Sequence, residues 1–347
     1  MTLRGQRAKL AAISAFERIP LADSVTRLAI EALVKRTRTA FPANGEGATR
    51  EFARLMTARP VAVHAEAANE QHYEVPAEFF GLVLGPRRKY SSCLYEGGAA
   101  SLAEAELEAL EATAANASLS DGQSILELGC GWGSLSLFMA ETMPRSTILA
   151  ISNSNSQCAF IEAEAKRRGL ANLRVVTADV SHFQPERTFD RVVSVEMFEH
   201  IANWPELLTR IRSWLSPGGR LFMHVFSHAR VPYRFDHTDP TDWIARHFFT
   251  GGIMPSHGLI HEFNALFAVE QEWRWNGQNY ARTADDWLAN LNRNEAQIAR
   301  LFTATYGAEA SLKMRRWRLF FLATAGLFGH RGGEEWGVSH YLLKPAG

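Results

Sequence analysis

Between Asp121 and His228, short unbroken apolar runs alternate with stretches whose apolar positions recur every three or four residues. Asp121-Gly122 marks a turn and SILEL (Ser124 to Leu128) a short buried strand; a glycine loop then leads into a helix from about Ser134. STILAISNSNSQ carries a second strand, SQCAFIEAEAKRRG a helix with a glycine stop, NLRVVTADV a third strand and DRVVSVEM a fourth. PELLTRIRSWLSPGG predicts a helix with Leu207, Leu208, Ile211, Trp214 and Leu215 on one face, stopped by Pro217-Gly218-Gly219. RLFMHVFSH is the fifth strand and EEWGVSHYLLKP the last. Strands alternating with helices predict an α/β fold with a Rossmann-like, doubly wound parallel sheet.

Upstream the rhythm is helical. DSVTRLAIEALVKR has Asp23 as its expected cap, and SLAEAELEALEAT opens on a capping box, Ser101 with Glu104 three positions later. NEQHYEVPAEFFGLVLGPRRKYSSCLYEGG reads as an ordered, aromatic-rich connection. The predicted division is a helical N-terminal region with a site-covering segment (1–115), a sheet core (116–230), a substrate-binding insertion that lids the site (231–333) and a final core strand (334–347).

Composition narrows the class. Apolar residues at 46% and charged residues at 21% fit an ordinary soluble globular protein, and a net charge of zero gives no global pull toward nucleic acid. Residues 1–50 hold nine Lys/Arg against four Asp/Glu, and LKMRRWRLFF is basic with interleaved aromatics. A face on anionic lipid competes there with solvated arginines beside core aromatics, and the second is favoured. Cys93, Cys130 and Cys158 have no paired spacing, so neither a zinc site nor a disulfide framework is indicated. With no signal-peptide core and no apolar run near the roughly 20 residues of a membrane span, the expectation is a cytoplasmic protein.

Gly129, Gly131 and Gly133 follow a strand and precede a helix, where glycine lets backbone approach a ligand closely. Their spacing is G-C-G-W-G, without the G-x-G-x-x-G that seats a pyrophosphate. Glu127 before them suits a cationic or amine-bearing ligand better than a diphosphate. LELGCGWG resembles motif I of the class I S-adenosylmethionine (SAM) methyltransferases, whose acidic residue supports the methionine portion of the methyl donor. At the end of the second strand, where Rossmann ribose sites usually carry an acid, stand Asn153 and Ser154, with Gln157 beyond; these can bond ribose hydroxyls or cap the next helix. Asp179, with Val180 beside it, is placed to accept from an adenine amino group or to cap a helix.

SVEMFEHI, straight after the fourth strand, crowds Glu196, Glu199 and His200 where ligands bind in open α/β sheets. Together with YSSCLY, ISNSNSQ and GEEW, this stretch resembles the cyclopropane fatty acid synthase superfamily, and within it the coclaurine and pavine N-methyltransferase branch. HFFTGGIMPS and NGQNYARTADDWL fit the same branch in order and spacing. The resemblance implies SAM contacts at Tyr90, Ser91, Gly129, Gly131, Asn153, Gln157 and Asp179, and catalysis by the pair Glu199 and His200 with Glu196 nearby. Tyr73, Glu74, His224 and Tyr280 are substrate-facing candidates. In lipid-modifying relatives a cysteine, a glutamate, a histidine and a tyrosine hold bicarbonate; here Glu199, His224 and Tyr280 match, while Ser92 replaces the cysteine and Glu196 a glycine. The implied activity is methyl transfer to a small, aromatic or alkaloid-like amine. The alternative is cyclopropanation or C-methylation of unsaturated phospholipid chains, with bicarbonate and peripheral membrane contact. No nucleic-acid partner is expected, and a homodimer stays open.

An amine with a pKa near that of lysine is about one part in 2,500 neutral at pH 7, a handicap of about 4.6 kcal/mol. Carboxylates draw in the ammonium, and a neighbouring imidazole can take its proton. A second carboxylate at Glu196 therefore suits an amine better than an uncharged alkene.

Overall fold

The computed structural model describes residues 17–19, 21–62, 75–239 and 242–347. Helices α1 (Asp23–Thr39), α2 (Gly45–Met56), α3 (Ala77–Val83) and α4 (Leu102–Asn116) precede the sheet. The capping box at Ser101 and Glu104 forms as predicted. Asp23 does not cap α1: Ala22 is at that position, and Asp23 instead pairs with Arg318 at 2.8 Å. Helix α3 lies inside the stretch read as a connection, started by Pro76 and anchored by buried Phe79 and Phe80.

The sheet is built on β1 (Ser124–Leu128), β2 (Thr147–Ser152), β3 (Leu173–Thr177), β4 (Phe189–Val195) and β5 (Leu215–His228), all parallel. Helices α5 (Ser134–Thr142), α6 (Asn155–Arg168) and α7 (Trp204–Trp214) make the crossovers, and Gly169 ends α6 in the left-handed conformation, as the sequence predicts. Helix α7 stops at Trp214, before the predicted Pro217-Gly218-Gly219, which lies within β5 beside an irregularity in its pairing with β4. A small ribbon, β6 (Tyr233–Arg234) with β7 (Ile253–Met254), and helix α8 (Trp243–His247) follow.

The main departure from the sequence pattern is β8 (Phe267–Asn276), a strand inside the stretch read as insertion. It pairs with the last strand, β9 (Trp336–Pro345), giving the order β3-β2-β1-β4-β5-β9-β8 among the described residues. As an edge strand it carries Glu270, Gln271, Glu272 and Arg274 and is largely exposed in its middle, so it shows no apolar run. Helices α9 (Gly277–Arg293), α10 (Glu295–Tyr306) and α11 (Ala310–Phe328) lie between β8 and β9.

One core cluster joins α1, α3, α9 and α11, and it includes Phe248, Trp317, Phe321 and Trp336. Arginines of LKMRRWRLFF tie α11 to the N-terminal segment: Arg316 to Glu17 at 3.2 Å, Arg318 to Asp23, and Arg315 to the carbonyl of Ile19. No helix among the described residues is long and apolar enough to cross a membrane.

Candidate active site

The glycine loop opens at the C-terminal end of β1. The amides of Gly129 and Cys130 both donate to the carbonyl of Ile151, pinning the loop to the end of β2. All three glycines have positive φ, yet each meets a different constraint. A Cβ on Gly129 would come within 2.8 Å of the Met197 side chain. On Gly131 it would meet nothing within 4 Å, because that backbone faces the open cleft. On Gly133 it would lie 2.5 Å from Ile161. Gly133 thus serves the close packing of α5 against α6 and lies outside the cleft wall, away from the cofactor contact expected of it.

Beneath the loop Glu127 is buried and accepts a hydrogen bond from Ser136 Oγ at 2.5 Å. Burial pushes its carboxyl up to about 8. Tyr90, Ser91, Asn153, Gln157, Asp179 and Val180 line the same cleft, the last four where β2 and β3 end. Ser154 caps α6, and Gln157 Oε1 accepts from Ser152 Oγ at 2.8 Å. Asp179 accepts from the amide of Ser181 at 2.8 Å, so it caps a turn while still lining the cleft.

At the other end of the cleft stands Glu196. Its backbone is left-handed, φ +48°, a conformation that disfavours a residue with a side chain. Three donors converge on its carboxylate. Ser92 N–H and His224 Nε2 reach Oε1 at 3.0 and 3.1 Å, and the Tyr280 hydroxyl reaches Oε2 at 2.7 Å. A carboxylate has about four lone-pair positions, so Oε2 keeps room for one further donor. Burial pushes this carboxyl above its usual range, against Lys89, Ser92 and Tyr280, which favour the anion.

His200 lines the cleft with its ring 4.5 Å from that of Phe249. Glu199 does not line it. The chain after Glu196 enters a short 3-10 turn, Phe198–His200, which turns Glu199 inward to accept from the amide of Phe226 at 2.6 Å. Its Oε2 is buried with no hydrogen-bond partner among the described residues, and burial together with the charge of Glu196 raises its carboxyl well above the usual range. Glu196, with three donors on its carboxylate, is the better placed of the two to hold a negative charge.

His224 is likewise fully buried and meets Glu196 instead of the cleft. Phe249, Thr250, Tyr280, Trp287 and Phe320 supply aromatic and polar walls. Of the other aromatics in the same stretch, Phe248, Trp317 and Phe321 are core. Tyr73 and Glu74 lie outside the described residues. Sequence reasoning missed Lys89, whose buried Nζ donates to Ser91 Oγ at 2.5 Å and to the carbonyl of Ser92 at 2.6 Å. A lysine beside the recognised Tyr90-Ser91 was the available signal. It also missed His340, which has no such neighbour.

The cleft fits SAM: an open backbone at Gly131, a buried acid at Glu127 and polar side chains where β2 and β3 end. It does not fit bicarbonate at the matching donors, because the Glu196 carboxylate already occupies His224 and Tyr280. Burial also pushes the Cys93 thiol up to about 12, away from a thiolate.

The family described as mycolic acid cyclopropane synthetase matches residues 62–332. The chain belongs to that family. It is 35% identical to (S)-coclaurine N-methyltransferase of Thalictrum flavum subsp. glaucum over 82% of this chain and 80% of that one. Pavine N-methyltransferase of the same plant is 30% identical over 84% and 83%. The crystal structure of a coclaurine N-methyltransferase bound to N-methylheliamine and SAH superposes with a TM-score of 0.93 at 30% identity, covering 97% of this chain and 99% of that one. Like these relatives, the chain is a SAM-dependent methyltransferase.

Proposed function

We propose that the enzyme methylates the nitrogen of a small aromatic amine, and that Glu196 and His200 prepare that nitrogen. The observation that carries this reading is the Glu196 carboxylate: buried, held by three donors, with one acceptor position left beside an aromatic-walled cleft. SAM, when bound, supplies an electrophilic methyl on a sulfonium. The residues of the chain do the rest. Glu196 Oε2 accepts from the ammonium and orients it; His200, exposed to the same cleft, takes the proton and leaves a lone pair. Glu199, buried behind them with its carboxyl raised well above the usual range, fixes the amide of Phe226. Phe249, Trp287 and Phe320 exclude water and favour a flat apolar substrate body. The SAM contacts proposed are Tyr90, Ser91, Glu127, Gly129, Gly131, Asn153, Gln157, Asp179 and Val180.

The similarity to coclaurine and pavine N-methyltransferases supports the amine class. Incubation of the protein and methyl-labelled SAM with phenethylamines and tetrahydroisoquinolines, and separately with unsaturated phospholipid vesicles, tests it. Label is expected on amine nitrogen; label confined to lipid overturns the proposal.

A further inference from the structure

A line of hydrogen bonds leaves the back of the active site through the sheet. His224 on β5 and His340 on β9 are directly opposed in the antiparallel register, so their side chains share a face. His224 Nδ1 lies 2.9 Å from His340 Nε2, and His340 Nδ1 lies 3.0 Å from Nδ2 of Asn116, the last residue of α4. At the other end His224 Nε2 reaches Glu196. Both imidazoles are fully buried, and the Trp275 ring on β8 covers them, 4.3 Å from His340 and 5.4 Å from His224 between centroids.

The end of the line sets its direction. An amide NH2 donates and cannot accept, so His340 Nδ1 must offer a lone pair to Asn116. A neutral imidazole then carries its hydrogen on Nε2 and donates to His224 Nδ1. The same logic places the His224 hydrogen on Nε2, aimed at Glu196. Burial holds both rings in the neutral form. Were Asn116 reversed, each ring would turn over in tautomer and Glu196 would face a lone pair.

We propose that Asn116 and His340 are positioning residues that fix His224 as the Nε2–H tautomer and so keep Glu196 an anion ready for the substrate ammonium. The charged and titratable groups facing Glu196 are Lys89, Cys93, Glu199, His224 and Tyr280, and Lys89 also acts on both imidazoles. Lys89 and Tyr280 favour the anion directly; the histidine line supplies the donor that would otherwise be free to reverse. The rate measurements below rest on the amine reading; the tautomer measurement does not.

Imidazole nitrogen NMR on the full-length, SAM-free protein should show His224 and His340 both neutral with the proton on Nε2. His340→Leu removes the donor to His224 Nδ1, while His340→Gln can still present an amide hydrogen there. The leucine variant frees the His224 tautomer and so weakens its charge-assisted bond to Glu196; it should lose about tenfold in kcat at pH 7, with the acid limb of its pH profile moved up by about one unit and its SAM Kd nearly unchanged. The glutamine variant should stay within about threefold of the parent. Asn116→Ala, at the half-buried end of a helix, gives a smaller shift in the same direction should His340→Leu fold poorly. A parent protein with His224 protonated on Nδ1 overturns the proposal. So do leucine and glutamine variants that lose Tm alike while the pH profile stays put. If no amine is methylated, the substrate reading fails and the tautomer result alone decides.

Discussion

The two ends of the cleft are built on opposite plans. The cofactor end is centred on one short stretch, Glu127 to Ser134, whose backbone glycine leaves bare, with Tyr90, Ser91 and the ends of β2 and β3 completing it. The base end is assembled from segments far apart in the chain: Ser92, Glu196, His224, Tyr280 and His340 arrive on loops, strands and a helix. The first is a local solution, the second a tertiary one. They should therefore fail differently. Damage to the loop should lower affinity, and damage to the base cluster should lower turnover.

Glu196 offers the largest separation of the two. Glu196→Gln keeps the shape but removes the charge and places an amide among three donors. Loss of one preorganised electrostatic group typically costs roughly 10²–10³-fold in rate, and that is the expected fall in kcat. SAM Kd, read by calorimetry, should change by less than about threefold. Glu196→Gly should be equally inactive, with a Tm below that of the parent by less than removal of three hydrogen bonds would cost, since Ser92, His224 and Tyr280 lose their acceptor while backbone strain is relieved. It relieves a left-handed backbone and removes a buried carboxylate. A large loss of SAM affinity in either variant would erase the division between the two ends.

The glycines sharpen it within the loop. An alanine at Gly131 projects into open cleft, so Gly131→Ala should weaken SAM roughly 10–100-fold while Tm falls only by the modest cost of a positive φ, about 1 kcal/mol. Gly133→Ala drives a methyl into Ile161 and should do the reverse: a lower Tm by several degrees, with SAM affinity largely kept in the folded fraction. Equal effects of the two on binding would refute the assignment of Gly133 to packing.

The same contrast explains what could be read in advance. Strands β1 to β5 and the capping of α4 and α6 were legible because buried parallel strands and helix ends are written in consecutive residues. Strand β8 was not, since an edge strand with Glu270, Glu272 and Arg274 on it lacks the apolar signal that marks a buried one. The glycine loop was legible for the same local reason. So was the crowding of Glu196, Glu199 and His200, but not their orientation. The left-handed turn at Glu196 and the 3-10 turn after it send one carboxylate to the cleft and the other into the core. His340 is a lone histidine in an apolar strand; only the β5–β9 register gives it meaning.

The smallest expected effect is also the most diagnostic in sign, because it opposes stability to binding at the cofactor end. Glu127 has an ordinary value of 4.5 and is pushed by burial to about 8 in the folded chain. Below 4.5 both folded and unfolded forms are protonated, and nothing is lost. As pH rises from 4.5 to 8 the unfolded chain ionises first, so the fold is progressively disfavoured. Glu127→Gln never ionises, and its Tm should exceed that of the parent by a margin that grows from about pH 5 to 8, reaching a few degrees. On the proposed contact between Glu127 and the amine-bearing end of the methyl donor, bound SAM should reverse the preference by favouring the carboxylate. Affinity of the parent for SAM should then rise over the same window with release of a proton, measurable by calorimetry in buffers of different ionisation enthalpy. The variant should bind about tenfold more weakly at pH 8 and release none. A parent affinity that is flat from pH 5 to 8 would mean that this buried acid serves the loop and not the ligand.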